Sequence, residues 1–289
     1  MLKDLEYGSY EVSGAEKKLL LDLYMPEKRS AQPFPLLIYI HGGGWMEGDK
    51  GGCPGDLIAQ HGYALASINY RLSDEAIFPA QIHDVKRAVR WLRANAGKHN
   101  LDPNRFGAMG DSAGGHLSAL LGTSAGVAPL EGEEGHQGVS SEIQAVCDWY
   151  GPTDFTQVPP AFTQPVSSPV PPTILERYGD KPWFEYTLAT ALLVGGRVSA
   201  HPDLATLANP ITHVGPNDPP FLIVHGEQDN IVPLSQSQLL ADALGKSGVE
   251  VTFVRQPNRG HSLAGPRGEE FSPKLIEMAL QFFDAHLRP

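Results

Sequence analysis

The feature that most limits how this chain can fold is Gly110-Asp111-Ser112-Ala113-Gly114. It is a G-x-S-x-G turn between a short strand-like run, Arg105–Met109, and a helical segment, His116–Leu121. A serine at the tip of so sharp a strand-to-helix turn tolerates no bulky neighbours, because side chains at the flanking positions would meet the adjoining strand and helix. The turn lifts the hydroxyl clear of a sheet and starts a helix whose N-terminal amides favour negative charge.

The rest of the chain repeats the pattern of short apolar run, Gly-rich turn and amphipathic helix. Leu36–Ile40 (LLIYI) reads as a strand buried on both faces and Ala64–Tyr70 as a second. A helix after Pro79 carries Ile82, Val85, Val89 and Leu92 at helical spacing. Ile143–Trp149, Phe221–Val224 and Val249–Val254 read as further strands, with a helix near Leu234–Leu244 and a last one presenting Leu275, Met278, Ala279 and Phe282 on one face. Strands alternating with helices predict an α/β fold, a three-layer sandwich around a mostly parallel central sheet. At 289 residues and 41% hydrophobic, the chain suits a single domain over 1–289. One stretch, 155–215, breaks the rhythm with a Pro- and Ser-rich run (VPPAFTQPVSSPVPPT). It is expected to form a small cap or lid inserted at the C-terminal edge of the sheet.

Composition excludes several functions. A formal net charge of -11 without clustered Lys and Arg argues against nucleic acid as a partner. No window of about 18 apolar residues appears, so no membrane span is expected. The N-terminus (MLKDLEYGSY) lacks the apolar core of a signal peptide, which predicts a soluble, cytoplasmic chain as given, or a secreted one if a signal was removed. The two cysteines, Cys53 and Cys147, form no disulfide framework and read as buried or partly buried thiols. Neither HExxH nor paired C-x-x-C occurs, so no metal is predicted, and no cofactor.

A serine hydroxyl is a poor nucleophile until a base takes its proton. His261, in Arg259-Gly260-His261-Ser262, follows one predicted strand, and Asp229, in His225-Gly226-Glu227-Gln228-Asp229, follows another. Both then fall at the sheet edge that carries Ser112, in the chain order Ser, Asp, His that this type of fold uses. Glu227 is a rival for the acid, but Gly226 ends the strand and leaves Asp229 out on the loop. The acid would hold the imidazole in the right tautomer and stabilise its protonated form. His41-Gly42-Gly43-Gly44-Trp45 follows Leu36–Ile40 directly. Consecutive glycines let backbone amides converge on one point, so the amides of Gly43, Gly44 and Ala113 are predicted to form an oxyanion hole. His41 reads as a partner that braces this loop. Trp45 is a candidate substrate-binding residue that either lines the acyl pocket or packs beneath the loop. Arg71 and Asp84 read as a pair bracing the loop before the Pro79 helix. Asp111 is expected to fix the nucleophile turn by hydrogen bonds. His83 suits a solvated face and Trp91 core packing.

In order along the chain, HGGGW, NYRL with FPA after it, GDSAGG, DWYGPTDF, HGEQDNIVP and RGHS resemble the carboxylesterases of the hormone-sensitive-lipase-like α/β-hydrolase group. The likeness is greatest to the short bacterial branch that includes acetylxylan and feruloyl esterases, and runs from about Leu19 to the C-terminus. It implies a metal-independent serine esterase forming an acyl-enzyme, with Ser112, Asp229 and His261 as triad and the oxyanion donors named above. The substrate it implies is a small ester or an esterified plant polysaccharide fragment. The chain departs from many lipase-like members at Asn69-Tyr70-Arg71-Leu72-Ser73-Asp74-Glu75, where they read DYRL and then an acidic-Pro stretch. This departure bears on substrate preference. Two other functions share these motifs: an amidase resembling kynurenine formamidases, and a non-catalytic binding module of the same fold.

Overall fold

The computed structural model describes residues 1–27, 32–159, 185–262 and 272–288. It opens on a hairpin, β1 (Leu2–Val12) and β2 (Ala15–Tyr24), followed by β3 (Phe34–Ile40), β4 (Ala64–Ile68), β5 (Leu101–Asp111), β6 (Ala145–Trp149), β7 (Phe221–Gly226) and β8 (Val251–Gln256). All eight join one sheet in the order β1-β2-β4-β3-β5-β6-β7-β8. The β1–β2 and β2–β4 pairs are antiparallel, and every later pair is parallel, so only β2 runs against the rest. The mostly parallel sheet is thus observed, and the hairpin is an addition that the strand–helix rhythm did not announce. Its local signal is the two-residue Ser13-Gly14 connection between two runs of strand-forming residues.

The helices are α1 (Gly55–Gln60), α2 (Ala80–Ala94), α3 (Ala113–Thr123), α4 (Ala128–Glu131), α5 (Glu185–Leu193), α6 (Pro202–Ala208), α7 (Leu234–Lys246) and α8 (Pro273–Leu287). Period-two alternation in β3 divides the core. Leu36, Ile38 and Ile40 pack with Ile82, Val85 and Val89 of α2 and Leu117 of α3 on one face. Leu37 and Tyr39 pack with Ile58 of α1 and with Leu275, Ile276 and Phe283 of α8 on the other. Both faces are therefore dry, which is why LLIYI has no polar alternation.

The last helix is rotated relative to the expected face. Its buried residues are Leu275, Ile276, Ala279, Leu280, Phe283 and Leu287, while Met278 and Phe282 lie half-buried at the margin. The shift lets Phe283 and Leu287 pack over Gly107 of β5, where the missing side chain leaves room. Much of the expected cap, residues 160–184, lies outside the described residues, and α5 and α6 are the helices described within 155–215.

Strand register positions the site. Ile40 pairs with Gly110, Asp111 with Trp149, and Trp149 with Val224. Gly226 pairs in turn with Gln256. The residues that follow these strand ends (the 41–45 loop, Ser112, Tyr150, Asp229 and His261) therefore emerge along one edge of the sheet, where ligand sites of open α/β sheets form. Among the described residues no helix is long and apolar enough to cross a membrane.

Candidate active site

Ser112 stands between β5 and α3 at φ 52, ψ -117, a backbone conformation that a residue with a side chain adopts only under strain. The turn is held by its neighbours: the Ser112 amide donates to the Trp149 carbonyl at 2.8 Å, and the His116 amide to the Ser112 carbonyl at 3.0 Å. A methyl group on Gly114 would overlap the Ile40 carbonyl, and one on Gly110 would press on Ile40 and Gly114 backbone. These two glycines let the helix start against the neighbouring strand, which is the close approach that the motif requires.

The Ser112 hydroxyl donates to His261 Nε2 at 2.9 Å, and His261 Nδ1 donates to Asp229 Oδ2 at 2.8 Å. The three residues proposed as triad from sequence are thus brought into one hydrogen-bonded chain with the geometry of a nucleophile, a base and an orienting acid. Glu227 points elsewhere, into an ion pair with Arg255 at 3.0 Å. Asp229 has a fully buried side chain. Its Oδ1 accepts the amides of Ile231 and Val232 at 2.8 and 2.9 Å. Burial alone would push this carboxyl up. Hydrogen bonds from His225 and His261, and the charge these two rings carry when protonated, outweigh it and hold the group well below the usual carboxylate range.

In the glycine loop, Gly43 and Gly44 sit at φ 91 and 60, conformations that glycine adopts freely. The Met46 and Glu47 amides close the loop onto the Gly43 carbonyl at 2.9 and 3.1 Å. Among the described residues no acceptor is paired with the amides of Gly43, Gly44 or Ala113, and all three residues line one cavity of about 240 Å³ with Ser112 and His261. The Ala113 amide is also the first of α3, a position whose donor has no partner within its own helix. His41 braces the loop: its Nδ1 donates to the Gly42 carbonyl at 2.9 Å and its ring stacks on Tyr70 at 4.4 Å. Burial lowers its pKa to about 4, so it is neutral at neutral pH. Trp45 borders the cavity, but its ring is 2% exposed and packs edge-on against His116 and Phe155. Of its two expected roles, packing beneath the loop accounts for nearly all of the indole.

The supporting residues fall where their chemistry directs. Arg71 grips Asp84 with two guanidinium hydrogen bonds at 2.7 and 2.8 Å and one from its backbone amide at 2.9 Å. Tyr39 donates to Asp111 at 2.6 Å, tying the nucleophile turn to β3. His83, half-buried, donates to the Pro129 carbonyl at 2.9 Å, and Trp91 packs at the core margin. Cys53 and Cys147 are free thiols. Three residues near the centre lie inside quoted motifs, Asp148 and Tyr150 in DWYGPTDF and His225 in HGEQDNIVP, but received no role from the sequence. Tyr150, at φ 48, lays its ring 4.8 Å from that of His261 and lines the cavity. His225 reaches Asp229 from the end of β7, and Asp148 lies buried in β6 behind it. Their proximity arises from sheet register and leaves no trace in spacing.

An eight-stranded, mostly parallel sheet with a strained serine at its C-terminal edge defines an α/β-hydrolase. The chain belongs to the BD-FAE family, whose model matches residues 21–244. It is 31% identical over 277 residues to Esterase LipC of Mycobacterium tuberculosis, spanning 94% of this chain and 64% of LipC. Esterase LipQ of the same organism is 31% identical over 264 residues, which make up 56% of its length, so the chain spans somewhat more than half of these curated relatives. Among solved structures, a truncated carbohydrate esterase from gut microbiota is 31% identical with a TM-score of 0.75, covering 98% of this chain and 94% of its own. An esterase of Thermogutta terrifontis, 24% identical with a TM-score of 0.75 and covering 100% of this chain and 94% of its own, shares the fold.

Proposed function

We propose that this chain is a carboxylic ester hydrolase that works through an acyl-enzyme on Ser112. The observation that carries the reading is the unbroken relay Ser112–His261–Asp229 beside three amides without acceptors among the described residues. In the first half-reaction Ser112 Oγ attacks the ester carbonyl while its proton passes to His261 Nε2. The carbonyl oxygen becomes an oxyanion and takes the amides of Gly43, Gly44 and Ala113. His261 then returns the proton to the leaving alcohol, which departs and leaves an acyl ester on Ser112. In the second half, water loses a proton to His261 as it attacks the acyl carbonyl, and His261 returns that proton to Ser112 Oγ as the acid leaves and the serine is freed.

The acyl group is short-chain or aromatic: acetyl, or feruloyl and coumaroyl as on plant polysaccharide fragments. The cavity beside Ser112 supports this, being walled by Met46, Pro152, Ala189, Ile231 and Val232 and measuring about 240 Å³. Its apolar walls and volume suit a small acyl group and have room for an aromatic one. The carbohydrate-esterase relative from gut microbiota points the same way.

The test sets initial rates on p-nitrophenyl acetate beside those on methyl ferulate, with Ser112→Ala as control. Turnover of either ester is expected to fall roughly 10⁵-fold in Ser112→Ala, and wild-type rates in that variant would sink the assignment. Faster turnover of N-formylkynurenine than of both esters would make the chain an amidase. Failure of the wild type to label with a fluorophosphonate probe would make it a binding module.

A further inference from the structure

A second histidine reaches the carboxylate that holds the first. His225, the penultimate residue of β7, has a fully buried side chain with Nε2 3.0 Å from Asp229 Oδ2 and 3.0 Å from the Val232 carbonyl. Both neighbours are acceptors, so Nε2 carries the proton. In the neutral ring Nδ1 is then a lone pair, and it accepts from the Ser237 hydroxyl of α7 at 2.7 Å. The hydrogen-bond network thus assigns one tautomer. Tyr150 stands edge-on to this ring with centroids 6.4 Å apart.

We propose that His225 is a positioning residue for the reaction, its Nε2–H sharing Asp229 Oδ2 with His261 and so setting both the aim of that oxygen and the charge His261 meets. The inference rests on the esterase reading given above. Its physical basis is an asymmetry in how the carboxylate is held. The amides of Ile231 and Val232 anchor Oδ1. Without His225, Oδ2 would be held by His261 alone, the group that gains and loses a proton in each half-reaction. His225 adds a donor that stays the same throughout, as outer partners do when they orient a working group. It also draws charge from Oδ2, which tempers how strongly the carboxylate favours the protonated form of His261. No proton is transferred to or from His225.

The test compares His225→Leu with His225→Gln in the full chain, using p-nitrophenyl acetate. Glutamine places its side-chain N–H near the position of Nε2, whereas leucine keeps the bulk and loses the donor. His225→Leu is expected to lower kcat by about 10–100-fold, as loss of an outer partner does elsewhere, with KM changed by less than about threefold. The acidic limb of its kcat/KM profile should move to higher pH by about half a unit, because Oδ2 turns its full charge on His261. His225→Gln should recover most of the rate and return the limb. A folded leucine variant with wild-type kcat and an unmoved limb would overturn the proposal, as would a glutamine variant equally impaired. If leucine prevents folding, Ser237→Ala replaces it. That change removes the hydroxyl that holds Nδ1 and so loosens the aim of the ring at Oδ2, and a several-fold loss of kcat is expected, with unchanged kinetics counting against the role. An active wild type with an unimpaired leucine variant overturns this inference alone. A wild type inert to ester and fluorophosphonate overturns the esterase reading, and this inference with it.

Discussion

Two buried carboxylates lie on neighbouring strands of the sheet, Asp229 after β7 and Asp148 within β6, and both sense the same histidine. Asp229 has four partners: His225 and His261 on Oδ2, and the Ile231 and Val232 amides on Oδ1. Asp148 accepts the Gly151 amide at 2.8 Å on Oδ1, and among the described residues its Oδ2 has no partner. Burial pushes the Asp148 carboxyl up to about 6, with Gly151 and His225 offsetting it only in part, while Asp229 is held well below the usual range. The number of donors, more than depth, decides in which direction each buried carboxyl moves from its ordinary value. The well-supplied one stands next to His261, the proposed base. The poorly supplied one, in β6, is the easier of the two to protonate.

That contrast is broken most directly by making both acids neutral amides. In Asp229→Asn the side chain offers His261 an N–H and so favours the wrong tautomer, and kcat is expected to fall by about four orders of magnitude. Asp148→Asn touches neither Ser112 nor His261 and should leave kcat within severalfold. Equal losses in the two variants would show that the distinction between them is false.

A third buried acid extends the series. Asp84, 1% exposed, is satisfied by one arginine that grips it from the side chain and backbone of the same residue. Arg71→Met keeps one amide bond and strands the charge, so unfolding stability in urea should drop by about 3–5 kcal/mol. A loss under about 1 kcal/mol would mean that Asp84, like Asp148, tolerates poor supply.

The smallest expected effect depends on pH. Because the folded carboxyl of Asp148 is raised to about 6 from an ordinary 3.8, the folded protein binds more protons between those values than the unfolded chain does. Its contribution is therefore fully present below about pH 4 and is lost as pH rises through 6. Asparagine at position 148 does not titrate, so Asp148→Asn should match the wild type near pH 4 and exceed it by roughly 2–3 kcal/mol at pH 8. An advantage that is the same at both pH values would show that Asp148 is not ionising in the folded state.

Much of the site was legible because its constraints are local. A serine between Gly110 and Gly114 reports a turn that admits no other neighbours, and HGGG reports a backbone free to aim its amides. The six later strands likewise followed from short apolar runs, since a sheet dry on both faces needs them, and α2, α3, α7 and α8 from their spacing, whereas the short α1 and α4 gave no such pattern. The hairpin before them was missed because neither strand is apolar along its length: β1 buries Tyr7 alone, and β2 opens on exposed charged residues before burying Leu19, Leu21 and Leu23.

By itself, then, the sequence determined the α/β order of elements, the nucleophile turn and the glycine loop, all of which are matters of steric fit within a few residues. Tertiary structure alone turned the Trp45 ring under its loop, sent Glu227 to Arg255, and brought His225, Tyr150 and Asp148 around Asp229 and His261. These choices depend on which strand ends lie side by side and on how many donors reach a buried charge. Both are set by packing between segments as far as 149 positions apart, the separation between Ser112 and His261.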